Sequence, residues 1–239
     1  MAGRDDHDVT EEAEELLERF SAPRHDAPPK VEVPGGVVGA LHRIRLAIER
    51  VTTFTGGLST LLAWTVFALG FFNVVTRYIA RFIQRDIIVG QIFDLQWMMF
   101  GALFLVGVNY GVREEVNPRI DFWWTNFSAR TKAWIDFVLH LTLLLPFIWV
   151  GITVTWNYAA TALGRTFDGR WLTWRVWEVW EQSTDADGLT RGPIKFLLFF
   201  GFVLFGAQVV AQVIKSGFVL IGRQDLADLT HHQAPVRIE

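Results

Sequence analysis

Four long stretches without charged residues, broken once by a lysine, organise this chain. Each is long enough for a helix to cross the roughly 30 Å hydrocarbon core of a bilayer. Because unpaired peptide groups are costly in lipid, a crossing segment must be helical. We therefore predict an all-α integral membrane protein with four transmembrane helices plus short interfacial helices. The stretches are 51–76, 95–112, 137–164 and 196–222, the last interrupted only by Lys215.

The stretches divide the chain into three predicted regions. Residues 1–36 are predicted to be an acidic, Pro-rich and largely disordered tail, and residues 224–239 a polar C-terminal tail. Residues 37–223 form the predicted four-helix membrane domain, in which Pro146 is expected to kink the third helix. Its predicted spans are 53–76, 89–112, 134–160 and 194–221.

Two flanking segments have amphipathic patterns. Residues 37–50 carry apolar side chains at helical spacing among arginines, which suits a helix on the membrane surface or an extension of the first span. Residues 165–192 contain Trp171, Trp174, Trp177 and Trp180 at every third position. Because tryptophan prefers the headgroup zone, we predict an interfacial helix here in preference to an aromatic ligand-binding platform.

Composition narrows the possible functions. Hydrophobic residues make up 51% of the chain, the formal net charge is -3, and cysteine is absent. This balance offers no basic field for nucleic acid, and the lack of thiols excludes disulfides and thiolate metal sites. The sequence contains no HExxH, GxSxG or phosphate-binding glycine loop. We predict a non-enzymatic protein without catalytic residues, bound metal or cofactor.

Ionisable residues lie at the ends of the predicted spans rather than at mid-depth. Arg77, Asp94 and Lys195 share one membrane face, where Asp94 could pair with Lys195 or Arg77. Asp136 begins the third span on the opposite face, beside Arg113. Because charges near spans usually have partners, we favour a structural role for them over a proton or ion pathway.

Few polar side chains are left for the middle of the bilayer. The main ones are His140, Thr142, Asn109 and Gln208. A single membrane histidine is expected to form a helix–helix hydrogen bond rather than to ligate haem, which would need a second histidine at matching depth. Gly107 and Gly111 form a GxxxG pattern that permits close helix approach.

The residues around the second span resemble a known family. Taken together, their order and spacing are similar to those of the small permease subunit of TRAP transporters (tripartite ATP-independent periplasmic transporters), the DctQ type. The resemblance covers about residues 50–223. It is carried by Asn73–Tyr78, Asp94–Trp97, Phe100–Gly107, Arg113–Glu115, Arg119–Asp121 and Arg130–Asp136. The segments Trp180–Ser183 and Asp187–Lys195 are similar to a subgroup labelled for mannitol or chloroaromatic compounds.

This resemblance implies a role. The chain would scaffold a large permease subunit, which takes up an organic acid or related solute with sodium after a periplasmic solute-binding protein captures it. It also implies the bacterial inner membrane and cytoplasmic N- and C-termini. Eight residues are candidates for subunit contact or structural support: Asn73, Arg77, Asp94, Arg113, Arg119, Asp121, Asp136 and Lys195.

One position departs from the family pattern. Relatives commonly have His-Val before the Arg-x-Asp element, whereas this chain has Asn117-Pro118. Arg119 and Asp121 still match, and we expect them to contact a subunit or lipid headgroups rather than solute. The alternative hypothesis is a four-span anchor subunit of a redox or light-harvesting complex, which would need a pair of cofactor ligands.

Overall fold

The computed structural model describes residues 35–84, 90–116, 124, 126–185 and 188–227. Four helices in this part of the chain are long and apolar enough to cross a membrane. The structure thus confirms the predicted all-α fold with four transmembrane helices. They are α1 (Gly36–Ile83), α2 (Gly90–Arg113), α3 (Ala129–Ala162) and α4 (Gly192–Leu220).

Helix α1 is continuous through the segment that could have been a separate surface helix. Its 48 residues correspond to a length of about 72 Å, more than twice the hydrocarbon thickness. His42 and Arg45 are buried in its first part, and the His42 ring lies 6.3 Å from that of Phe218 at the end of α4. The segment 37–50 is therefore an extension of the first helix that packs against the bundle.

Helix α4 is the centre of the bundle and contacts each of the other three helices. Small residues allow this close approach, as is usual for helices in membranes. A Cβ atom on Gly201 would lie 3.1 Å from the Leu105 side chain of α2, and one on Gly206 would lie 2.9 Å from Ile148 of α3. Large side chains on the outer faces, including Phe71 and Trp149, are exposed and face lipid or a partner.

Helix α3 changes its hydrogen-bonding pattern midway. Its α-helical parts, Ala129–Leu139 and Leu145–Ala162, are joined by a π-helical turn, His140–Leu144. Pro146 follows directly and has no N–H to donate to the preceding turn. The π turn, in which the Leu145 N–H donates to the His140 carbonyl, is how the chain absorbs this missing donor.

The Trp-rich connection between α3 and α4 is not the helix that the tryptophan spacing predicted. Among the residues of the connection that the structure describes, only Val176–Glu178 is helical, as a single 3₁₀ turn. Backbone N–H groups of the connection instead bond carbonyls at the end of α3: Leu172 to Gly164 at 3.2 Å and Glu181 to Ala162 at 2.9 Å. These bonds replace the local ladder of a helix and hold the connection against the bundle.

A second 3₁₀ turn, Gln224–Ala227, follows α4. Leu226 and Ala227 are fully buried in a small apolar core with Ala133 of α3 and Phe218 of α4. Asp225 accepts hydrogen bonds from the Arg223 guanidinium, and this bonding holds the pKa of the Asp225 carboxyl below its ordinary value.

Candidate functional site

Asp94 anchors the connection between α3 and α4 to α2. Asp94 lies on the transmembrane helix α2 and is only 6% exposed. One carboxylate oxygen accepts the Trp97 indole N–H at 3.0 Å, and the other accepts the Leu189 backbone N–H at 2.9 Å. A buried carboxylate needs such donors because burial without them is expensive.

Glycines make the close approach to Asp94 possible. A Cβ atom on Gly188 would lie 2.8 Å from a carboxylate oxygen of Asp94 and closer still to the Cβ atom of Ser183, so any other residue at this position would force these side chains to shift. A Cβ atom on Gly192, where α4 begins, would lie 2.9 Å from the indole of Trp180. Gly188 therefore allows the backbone N–H of the next residue, Leu189, to reach the second helix.

Arg191 organises the polar side of the same connection. Its guanidinium donates to the Thr184 hydroxyl at 3.0 Å and lies 3.6 Å from the Asp185 carboxylate. Its backbone N–H bonds the Glu181 carbonyl at 2.7 Å. Loop residues 181–185 are thus tied to the first turn of α4.

Lys195 lies at the same end of the bundle but pairs with a loop residue. Its ammonium is 2.5 Å from a Glu181 carboxylate oxygen and 4.1 Å from the centre of the Tyr158 ring on α3. Lys195 is therefore held by an ion pair and a cation–π contact. The proposed pairing of Asp94 with Lys195 is not observed, because both residues bond to the intervening loop.

A groove of about 810 Å³ opens beside this cluster. Its polar end contains Glu181, Arg191 and Lys195. Its apolar wall comes from α2 and α4 and consists of Trp97, Phe100, Gly101, Phe104, Leu105, Ile194 and Leu198, with Tyr158 from α3. The groove therefore has both charged and apolar lining residues.

A second set of polar contacts lies inside the bundle. The Thr52 hydroxyl of α1 donates to the Gln208 side-chain carbonyl of α4 at 2.7 Å, and the Asn109 amide of α2 donates to the Thr55 hydroxyl of α1 at 2.9 Å. All four residues are buried. They connect α1, α2 and α4 to one another, which is the role that buried polar side chains commonly have in membranes.

Comparison with known families matches residues 66–216 to the DctQ component of tripartite ATP-independent periplasmic transporters. The match begins within α1, ends within α4 and includes Asp94, Glu181, Arg191 and Lys195. The chain belongs to the DctQ family. Neither the curated proteins nor the solved structures give a match.

The family assignment confirms the resemblance seen around the second span and makes this chain the small membrane subunit of a TRAP transporter. It favours transport over the alternative of a redox or light-harvesting anchor. The DctQ family is a transporter component family rather than an enzyme family. Membership in the mannitol or chloroaromatic subgroup stays a prediction.

The first-span candidates of this DctQ chain are not among the residues that bond to Asp94 in the described structure. Arg77 is exposed and lines a cleft of about 400 Å³ with Val74, Tyr78 and Arg81, all on α1. Asn73 is partly buried one turn earlier. In the structure Arg77 is therefore not the partner of Asp94.

At the opposite end of the bundle, Arg113 closes α2 against α1. Its guanidinium lies 2.5 Å from the Thr53 hydroxyl and 3.8 Å from the Glu114 carboxylate. Asp136 is partly buried on α3, and its backbone carbonyl lies 2.5 Å from Nδ1 of His140. The predicted helix–helix role of His140 is thus replaced by a bond within its own helix. Arg119, Asp121 and Asn117-Pro118 lie outside the described residues.

Sequence inspection missed several contacts at this end. The Lys215 ammonium is 3.2 Å from the Glu115 carboxylate, and the Gln212 amide donates to the Val112 carbonyl at 3.0 Å. Both join the end of α2 to α4. Lys215, the only charge inside the fourth apolar stretch, was the one visible hint of such a partner.

Proposed function

We propose that this DctQ-family chain braces the large permease subunit in the bacterial inner membrane. The large subunit would carry an organic acid or related solute inward with sodium, after delivery by a periplasmic solute-binding protein. Family membership supports the transporter setting, and the pattern of buried polar contacts supports a bracing role.

The observation that carries the bracing role is how the buried polar groups are used. Thr52 bonds Gln208, and Asn109 bonds Thr55, each across a helix pair. Groups that transport ions or solutes must bind and release cargo, whereas these side chains bind neighbouring helices. Their bonding therefore suits a rigid support more than a carrier.

The outer faces of the bundle offer the area that a partner would need. The apolar part of α1 is largely uncovered, with exposed side chains that include Trp64, Phe67, Phe71 and Tyr78. In a membrane such faces pack against lipid or against another helix bundle. We propose that part of this surface meets the large subunit.

We further propose that the N- and C-termini are cytoplasmic. The connection between α3 and α4 would then lie on the periplasmic side, facing the solute-binding protein. We also propose membership in the mannitol or chloroaromatic subgroup. Because Glu181, Arg191 and Lys195, which carry part of that likeness, bond to one another and to α3, we assign them to holding the connection rather than to binding solute.

Co-purification tests the partner. An affinity tag on this chain, co-expressed with a large TRAP permease subunit from the same organism, is expected to capture that subunit in stoichiometric amount from solubilised membranes. In proteoliposomes, uptake of the solute delivered by the matching solute-binding protein should require this chain and a sodium gradient. Sodium-driven uptake at full rate by the large subunit without this chain would refute the bracing role.

A further inference from the structure

The first part of the connection after α3 folds into a short hairpin. Arg165 and Trp171 pair in an isolated antiparallel bridge. The Thr166 backbone N–H donates to the Arg170 carbonyl at 2.8 Å, and the turn closes with Gly169 at a φ of 78°. Because a left-handed conformation suits glycine, this turn is well defined. We call residues 165–171 the arginine hairpin.

The arginine hairpin folds back along α3 rather than away from the bundle. Its tip residue Phe167 lines a cleft of about 450 Å³ together with Asn157, Tyr158 and Thr161 of α3, and the polar part of the same cleft is formed by Arg165, Thr166, Glu181 and Lys195. These three residues belong to the last two turns of a transmembrane helix that ends at Ala162. Phe167 therefore lies at the depth where the apolar span meets the headgroups.

The tip is apolar and uncovered, although the hairpin around it is well bonded. The Phe167 side chain is fully exposed, and Leu172 and Trp174, which follow the hairpin, are 66% and 79% exposed. Leu172 is tied by its backbone to Gly164 at the end of α3, so it stays close to the same depth. Apolar side chains left outside a fold at this depth are stabilised by the outer part of the hydrocarbon.

The charges beside the tip favour one lipid class. Arg165 and Arg170 flank Phe167, against one carboxylate, Asp168. Neither arginine forms an ion pair with any residue that the structure describes, whereas Arg175 further along is paired with Glu178 at 2.7 Å. Each basic residue close to an anionic membrane surface strengthens attachment by about fivefold.

We propose that the arginine hairpin is a membrane-interface anchor, with Phe167 inserted among lipid chains and Arg165 and Arg170 bound to anionic phospholipid headgroups. The anchor fixes the connection at the bilayer surface, next to the Asp94 cluster that fixes it to the helices. This proposal does not depend on which solute the transporter carries.

The absence of cysteine from the chain makes a depth measurement direct. Leu172→Cys is spin-labelled in the full-length protein, in vesicles of phosphatidylcholine alone or with phosphatidylglycerol added. Collisions of the label with oxygen, which enters lipid, are compared with collisions with a water-soluble nickel chelate. Asp185→Cys, on an exposed residue of the same connection, is the matched aqueous control.

The label at position 172 is expected to show a several-fold higher ratio of oxygen to nickel collisions than the label at 185. Adding Phe167→Asp should return the ratio at 172 to the aqueous level while leaving helix content and thermal unfolding unchanged. Phosphatidylglycerol should raise the ratio at 172, and Arg165→Gln with Arg170→Gln should remove that increase.

Equal nickel access at positions 172 and 185 overturns the anchor. Protection of position 172 only after a solute-binding protein is added also overturns it, since the surface would then bind protein rather than lipid. If phosphatidylglycerol changes nothing in the chain with both arginines, the assignment of Arg165 and Arg170 to anionic headgroups is wrong.

Discussion

At the scale of single residues, Asp94 shows how one carboxylate can hold a long connection in place. Its two oxygens accept N–H groups from Trp97, one helical turn away, and from Leu189, 95 positions along the chain. Because each donor bonds a different oxygen, an asparagine in the same orientation would turn its NH2 group, itself a donor, towards one of them. A side chain with none removes the partner of both part-buried donors.

Replacing Asp94 should therefore destabilise the protein in a graded way. Asp94→Ala is expected to lower the unfolding temperature of the detergent-solubilised protein by several degrees, and Asp94→Asn by less. Intrinsic tryptophan fluorescence during heating provides the measurement. Asp185→Ala, which removes an exposed carboxylate from the same connection, should have little effect. An Asp94→Ala protein that unfolds at the wild-type temperature would show that these two bonds do not stabilise the fold.

At the scale of helices, only one of the two GxxxG glycines is in a tight contact. A Cβ atom on Gly107 would lie 2.6 Å from the Ser59 hydroxyl oxygen of α1, whereas one on Gly111 would meet no atom within 4 Å. The pattern thus marks the α1–α2 contact correctly at its first position. The second position was indistinguishable from it in sequence, because spacing does not show where two helices diverge.

The two glycines provide a matched pair of substitutions. Gly107→Leu should destabilise the protein by about 1–3 kcal/mol, because overpacking forces the helices apart. Gly111→Leu should be tolerated, since its side chain enters open space. Reversible unfolding in mixed micelles gives the two free energies. Equal losses for both variants would contradict the observed contact.

The pair Thr52 and Gln208 tests what buried polar bonds do between helices. Thr52→Val or Gln208→Leu alone should destabilise the bundle, because each leaves a buried group without its partner. The double variant should lose less than the sum of the two, with a coupling free energy of about 0.6 kcal/mol. Full transport activity in the double variant would support bracing. A stable double variant that no longer transports would instead assign these residues to the transport path.

At the scale of the whole molecule, α4 forms the inner support, and α1 to α3 present outer faces to lipid and partners. The end of α2 is fixed by Arg113 to α1 and by Glu115 to α4. Arg119 and Asp121 follow this point in the sequence and lie outside the described residues. We expect these two residues to contact the large subunit or headgroups, as the family resemblance implies.

Asp121→Ala should lower the amount of assembled transporter without changing which solute is transported. The amount of large subunit captured by tagged small subunit measures assembly, and competition between solutes measures preference. Asp225→Ala, which removes a carboxylate beyond the end of α4, is the control. A changed solute preference at normal complex levels would count against a role in assembly.

The sequence by itself determined the solvent, the number of spans and the type of secondary structure. Each of the four long apolar runs must form a helix in lipid, because a helix pairs the backbone N–H and C=O groups of the segment with one another. The same pattern placed the ionisable residues at the ends of spans and, through the order of motifs around α2, indicated the family. These features depend on local composition and spacing, which are visible along the chain.

Only the tertiary structure decided which groups meet. Asp94 and Lys195 were correctly placed at one end of the bundle. They do not pair with each other because the connection folds back between them, so that Asp94 bonds to Leu189 and Lys195 bonds to Glu181. The tryptophan spacing predicted a helix there, yet long-range backbone bonds to the end of α3 are made instead. Residue spacing describes local periodicity, whereas these bonds depend on distances between segments that are far apart in the chain.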